Sequence, residues 1–317
     1  MIVDVHAHYH PSGFNQALGR LTQGRVAGGF PGQPDTDEEG HLQQRLDMME
    51  QAGVGMQVLS PAAGRAPYGA DEGAALAAAR AGNDAAAALV RRYPAKFRSF
   101  VSLPLPHIEA SLREMARGLD DLAMVGVNLH CSALDRSVAE AEFEPIYEEL
   151  NRRSGVVFFH PCGNGIRSPL ITDYGLGAAV GTSLEDAAIV LHLIARKLPA
   201  KYPNITFIVP HLGGPIPMLL ERLDRQFSMR QRELPEPPSV TARRFYYDTV
   251  GHGSAAGLLC ACTAFGASHM LPGSDFPVLL SYETYTRTFA YIREVALPDG
   301  AASQILERTA PSILKLA

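Results

Sequence analysis

The stretch Ile2-Val3-Asp4-Val5-His6-Ala7-His8-Tyr9-His10 decides how the rest of the chain is read. Residues 2–5 form a β-prone run, and histidines stand at its end. Residues two apart in a strand share a face, so His6 and His8 project the same way. No Gly-x-Gly-x-x-Gly follows this strand, which argues against the doubly wound dinucleotide fold. Further apolar runs fall at 55–59, 97–103, 125–129, 156–159, 205–209, 245–247 and 269–271. Most are unbroken Val, Ile, Leu and Phe, the pattern of strands buried on both faces of a parallel sheet. The last two carry the pattern more weakly.

Helical spacing fills the gaps between these runs. Leu42, Leu46 and Met49 repeat at i, i+4, i+7 ahead of Gly53. Phe143, Ile146, Tyr147 and Leu150 make a second face, and Ile216, Leu219, Leu220, Leu223 and Phe227 a third. Residues 74–90 are rich in alanine, a strong helix former. Strand and helix in alternation, eight times over, predict an α/β chain folded as a (β/α)8 TIM barrel. The expectation is one domain over residues 1–317, with long loops after strands one (9–40) and five (161–181). Both loops leave the C-terminal ends of strands, the side on which such barrels place their chemistry.

Composition narrows the class. The chain has 317 residues, 46% hydrophobic and 19% charged, which excludes a disordered polymer. A net charge of −5 argues against a nucleic-acid surface. The cysteines at 131, 162, 260 and 262 include no Cys-x-x-Cys pair. No apolar run reaches 18 residues, so no membrane span is expected. No charged and apolar leader precedes the first motif, and the expected location is cytoplasmic.

The 11 histidines carry the functional argument. Chance alone gives about 0.4 His-x-His triplets in such a chain, so the triplet is weak evidence by itself. Its place at a strand end adds weight. Strand five ends at His160, strand six runs into His211, and strand eight runs into Asp275. In a barrel these ends converge. Imidazole nitrogens and a carboxylate oxygen suit a zinc-type ion, and a divalent ion activates water and polarises carbonyls.

In combination, the motifs His6-x-His8, His160-Pro161, His211-Leu212-Gly213-Gly214, Tyr247-Asp248-Thr249 and Gly273-Ser274-Asp275-Phe276-Pro277 resemble the amidohydrolase superfamily. Within it they are similar to the decarboxylase branch, which includes the aminocarboxymuconate semialdehyde, γ-resorcylate and 6-methylsalicylate decarboxylases. The resemblance implies His6, His8, His160 and Asp275 as metal ligands, with His211 as acid/base residue beside the metal. Asp275 is the second choice for the proton donor. Leu129-His130 stands where a bridging lysine would be, which favours one divalent ion, Zn2+ as first choice and Mn2+ as second. Arg222 lies where the semialdehyde decarboxylases have an arginine that reaches a neighbouring subunit's site. That implies a homodimer or higher homo-oligomer. The first loop is shorter than theirs; Arg20 and Arg25 are candidates for a second substrate arginine. Cys162 replaces their tryptophan after the His-Pro pair.

Other residues are read from position. Asn128 and His130 end strand four facing the mouth and are candidate substrate contacts. Asp248 ends strand seven, where it would orient a histidine or cap a helix. His10 reads as an exposed loop residue, and His252 as a loop residue within reach of the mouth. His41, His107, His192 and His269 read as structural or exposed. Cys131 and Cys162 read as buried small groups, Tyr282 and Tyr285 as packing or lid residues. The resulting expectation is a metal-dependent decarboxylase of a small aromatic or unsaturated carboxylic acid. The alternative is a metal-dependent hydrolase of a lactone or similar ester using the same metal-bound water. A barrel that has lost its chemistry is the third reading.

Overall fold

The computed structural model describes residues 1–24, 30, 32–61, 66–227, 229 and 233–316. Eight parallel strands follow one another in chain order around a single sheet. They are β1 (Ile2–His8), β2 (Val54–Ser60), β3 (Phe97–Ser102), β4 (Gly126–His130), β5 (Val156–His160), β6 (Thr206–Val209), β7 (Tyr246–Asp248) and β8 (Met270–Leu271). The segment at β8 returns to β1: the Val5 N–H donates to the Pro272 carbonyl at 2.9 Å, and the His8 N–H to the Phe276 carbonyl at 2.7 Å. An open doubly wound sheet has no such return, so the fold is a (β/α)8 barrel. The weakly patterned seventh and eighth runs are its shortest strands.

Two apolar layers hold the barrel. Val3, Val5, Val58, Phe100, Phe158 and Ile208 pack on one another inside it, and Ala310 and Leu314 of the C-terminal tail join them. Outside, Val127, Phe159 and Phe207 share a layer with helical residues such as Ile146, Tyr147, Ile189 and Leu193. Burying each such large side chain stabilises the fold by about 1.5–3 kcal/mol. The helices follow the expected spacing at Glu39–Gln51, Glu72–Arg92, Glu144–Arg152 and Ile216–Arg222.

The segments after β1 and β5 are not structureless. The first contains the helix Ser12–Leu21, which buries Phe14, Ala17 and Leu18 at i, i+3, i+4. The second contains the turns Gly165–Arg167 and Pro169–Thr172 and a helical start at Gly177–Gly181. Their glycines and prolines hid these short apolar spacings. The last one runs on into the helix Thr182–Ala195. Together Gly177–Ala195 are long and apolar enough to cross a membrane by length and composition, with mean hydropathy 1.4 in the window. Here Ile189, Val190 and Leu193 of that helix are buried in the outer layer instead.

Strand β1 contains one extra residue. Its pairing with β2 runs Asp4 to Gln57 and then Ala7 to Leu59, three steps against two. Such a bulge reverses which residues face inward. Val3 and Val5 point into the barrel before it, and His6 and His8 after it, with the His6 ring 5.0 Å from that of Phe158. A regular strand with Val3 and Val5 inside would turn both histidines outward.

Candidate active site

Three imidazoles and a carboxylate meet at the C-terminal mouth. One ligand-type atom from each of His6, His8, His160 and Asp275 lies within 4.8 Å of the others, and all four residues are buried. Each comes from the end of a strand or the turn just beyond it, which is why residues so far apart in sequence converge.

Hydrogen bonds fix which ring nitrogen of each histidine faces the centre. The His160 Nδ1–H donates to the Pro161 carbonyl at 2.8 Å, which turns Nε2 inward as a lone pair. The His6 Nδ1–H donates to Asp248 Oδ2 at 2.7 Å, so its Nε2 faces Asp275 Oδ1 at 3.2 Å. The His8 Nε2 lies 2.7 Å from the same oxygen. Two imidazole nitrogens crowd one carboxylate oxygen in a buried site. A lone pair facing an anion is repelled unless a proton or a cation lies between them. A proton is one answer, at His6. Burial works against its charge, but Asp248 and Asp275 outweigh burial and raise its pKa to about 10. Burial holds His8 down to about 4 and His160 well below the usual value. Burial disfavours the charged Asp275, yet the two histidines keep it ionised. A divalent cation would answer the same crowding, and the donor set is one that zinc-type ions accept.

His211 stands beside the cluster, with its ring 5.4 Å from that of His6 and 6.1 Å from that of His160. Its Nδ1 is 2.7 Å from Asp186 Oδ2, and its backbone N–H donates to Asp248 Oδ1 at 2.8 Å. Burial lowers the pKa of His211, and the Asp186 carboxylate more than restores it, so the net direction is upward. Both His211 and Asp275 have positive φ, 53° and 60°. Non-glycine residues hold that conformation at a cost, and such strain gathers at functional sites. The turn after His211 also needs Gly214, because a Cβ there would stand 2.2 Å from the Ser183 carbonyl oxygen. This close approach seats His211 on the helix that carries Asp186.

A cavity of about 1090 Å³ opens over the cluster. His160, His211 and Asp275 line it together with Leu212, Val250, Val278, Met218 and Cys162. Phe30, His252 and Tyr282 stand at its wall as well. Helix Thr182–Ala195 sets one side: Thr182 and Ser183 face the cavity, Asp186 holds His211, and Glu185 accepts the N–H groups of Cys162 and Gly165.

The other expected residues fall as follows. Asp248 holds both His6 and the His211 backbone. Asn128 is buried and donates to the Phe158 carbonyl at 3.1 Å. The buried ring of His130 lies 5.6 Å from each of His160 and Tyr68. Neither Asn128 nor His130 lines the cavity. Arg222 is exposed at the end of its helix, and Arg20 is exposed at the end of Ser12–Leu21. Arg25 lies outside the described residues. His10 lies in the loop just after β1 but is not exposed: it is fully buried, stacked on His8, with Nδ1 3.0 Å from Asp35. Cys131 is buried away from the cavity, and the Cys162 thiol reaches the Ser132 carbonyl at 3.2 Å. Tyr285 is buried and Tyr282 exposed. His41, His107, His192 and His269 make local contacts away from the cluster, with Thr36, Gly69, Ser137 and Ser268.

Asp186 was missed by sequence reading. Its signal was present: the pair Glu185-Asp186 stands in a mainly apolar helix. Asp186→Asn is expected to leave the four-residue cluster intact and slow turnover by about 10²-fold or more, since the orienting carboxylate of a catalytic histidine is worth that much. The Asp186 charge favours the protonated ring. Without it the pKa of His211 falls, and the loss of activity on the alkaline side should move to lower pH. A pH–rate profile of the variant checks this; an unmoved alkaline limb would separate Asp186 from the titration of His211.

The chain is similar to proteins already known. The chain is 29% identical over 313 residues to 6-methylsalicylic acid decarboxylase of Penicillium expansum, covering 96% of this chain and 93% of that one. It is 25% identical over 296 residues to γ-resorcylate decarboxylase of a Polaromonas species, covering 86% and 87%. A crystal structure of dihydroxybenzoic acid decarboxylase from Polaromonas, with bound manganese and the inhibitor 2-nitroresorcinol, superposes with a TM-score of 0.80 at 21% identity, covering 99% of this chain and 97% of that one. The amidohydrolase family model matches residues 3–316. With that match over nearly its whole length, the chain belongs to the amidohydrolase family.

Proposed function

We propose that the protein is a metal-dependent carboxy-lyase that removes CO2 from a small aromatic carboxylic acid. The observation that carries the reading is the pairing of a buried three-histidine, one-aspartate cluster with a separately held His211 at a mainly apolar cavity. Relatives named for the decarboxylation of 6-methylsalicylic and γ-resorcylic acids support the substrate class.

His6, His8, His160 and Asp275 would hold a single divalent ion. Zn2+ is the first choice from the donor set; manganese, bound in the similar Polaromonas enzyme, is the second. When bound, the ion supplies a positive centre for an oxygen of the substrate. The residues do the rest. Asp248 and the Pro161 carbonyl keep His6 and His160 presenting Nε2 to the centre. Leu212, Val250 and Val278 give the aromatic ring an apolar wall next to His211. The carbon–carbon bond breaks with its electron pair left on the ring carbon, CO2 departs, and a proton must reach that carbon. With Nδ1 engaged by Asp186, Nε2 of His211 is the nitrogen free to move that proton, and Asp275 is the second choice. His130 packs against His160, its ring 5.6 Å away. Arg222, exposed and outside its own cavity, would serve the cavity of a second copy in a homo-oligomer.

The hydrolase reading uses the same residues, so products must decide. The protein, supplied with Mn2+ or Zn2+, is to be assayed on 2-hydroxybenzoates, among them 6-methylsalicylate and 2,6-dihydroxybenzoate, and on aromatic lactones. CO2 release from the acids with lactones left closed is the expected result. Lactone opening with no CO2 would replace the lyase reading by the hydrolase.

A further inference from the structure

Behind the cluster lies a fully buried arginine that sequence reading did not single out. Arg45 sits on the core face of helix Glu39–Gln51, at i+3 from Leu42, and has no exposed surface. Its hydrogen bonds go to neutral acceptors: Nη1 donates to Gln57 Oε1 at 2.9 Å, and Nη2 to the carbonyls of His8 at 2.6 Å and Pro34 at 3.2 Å. Its guanidinium lies over the Phe276 ring at 4.4 Å, a cation–π contact in a dry setting. Burial lowers its pKa only to about 10, so it is charged at neutral pH. A buried charge with no carboxylate bonded to it is costly and calls for a compensating role.

The bonding pattern shows what it holds. His8 is pinned at both ends of its backbone, the N–H by the Phe276 carbonyl and the carbonyl by Arg45. Phe276 follows Asp275 directly. Because Gln57 Oε1 accepts from Arg45, the Gln57 amide N–H group is turned toward Tyr285 Oη at 2.7 Å. The Tyr285 hydroxyl donates to Asp4 Oδ2 at 2.7 Å. Asp4 Oδ1 in turn accepts the N–H groups of His6 at 3.2 Å and Ser274 at 3.1 Å. One connected polar strut thus reaches the backbone at or beside His6, His8 and Asp275.

We propose that Arg45 is a positioning residue for the cluster, setting the spacing of His8 directly, of Asp275 through the neighbouring Phe276, and of His6 through Gln57, Tyr285 and Asp4. This rests on the metal-centre reading above. A lysine keeps the charge but cannot reach Gln57 and the His8 carbonyl together, because it lacks the planar fork. The test is Mn2+ binding to Arg45→Lys by chelator competition, at a temperature where circular dichroism shows the metal-free chain folded. Groups that orient metal ligands are worth about 10–100-fold in affinity, and a loss of that size is the expected result. Affinity within about two-fold of wild type would overturn the strut, even if the metal-free Tm falls, because a purely structural arginine moves Tm and not affinity. If Arg45→Lys does not fold, Gln57→Met breaks the same chain and is judged by the same limits. A wild-type chain that takes up neither Mn2+ nor Zn2+ overturns the metal centre and the strut with it, whereas loss confined to the variants separates the two.

Discussion

Replacing His211 with alanine is expected to leave one divalent ion per chain and to cut turnover by about 10²–10⁴-fold, the usual worth of a positioned acid or base. The reason is the division of labour at the mouth. His211 is held by Asp186 and by Asp248, outside the set of four side chains whose donor atoms converge within 4.8 Å. On the proposed reading its loss removes a proton carrier and leaves the four ligand atoms in place. Elemental analysis and steady-state rates on the same preparation check both halves. Loss of metal together with activity would place His211 among the ligands.

Replacing His160 with alanine should act the other way. His160 projects its Nε2 into the cluster because Nδ1–H is tied to the Pro161 carbonyl. Removing a ligand costs more than the 10–100-fold seen for groups that merely orient ligands, so metal affinity is expected to fall by more than about 100-fold. Activity should fall with it and return only in part at high metal concentration. The substitution also opens a buried space next to His6 and His8, whose rings lie 5.1 and 5.0 Å away. A chelator titration separates lost affinity from lost folding. Metal retained at wild-type affinity would remove His160 from the ligand set.

Much of this site was legible in the chain because its residues stand at strand ends. His6, His8, His160, His211 and Asp275 each follow an apolar run, and a parallel barrel turns that one-dimensional pattern into a cluster. Strand limits were read to within a residue or two at β2 to β8 for the same reason. The rest depends on geometry that patterning does not express. The β1 bulge adds one residue and reverses facing; no propensity marks it. Asp186 and Arg45 sit on helices, far in sequence from what they hold. Each still left a trace, as a charge on a face that spacing assigns to the core. A buried charge at such a position costs stability, and its presence points to a partner. The helix Ser12–Leu21 was hidden by neighbouring glycines and prolines, although Phe14, Ala17 and Leu18 have its spacing.

The lyase reading makes the cluster and the chemistry inseparable, and one titration joins them. Chelator-stripped protein is to be reloaded with Mn2+ or Zn2+ in steps while CO2 release from a 2-hydroxybenzoate is followed. The account predicts no CO2 without metal, and activity that rises linearly and levels off at one ion per chain. Full CO2 release from the stripped protein, or activity that climbs without a break at one equivalent, would contradict it.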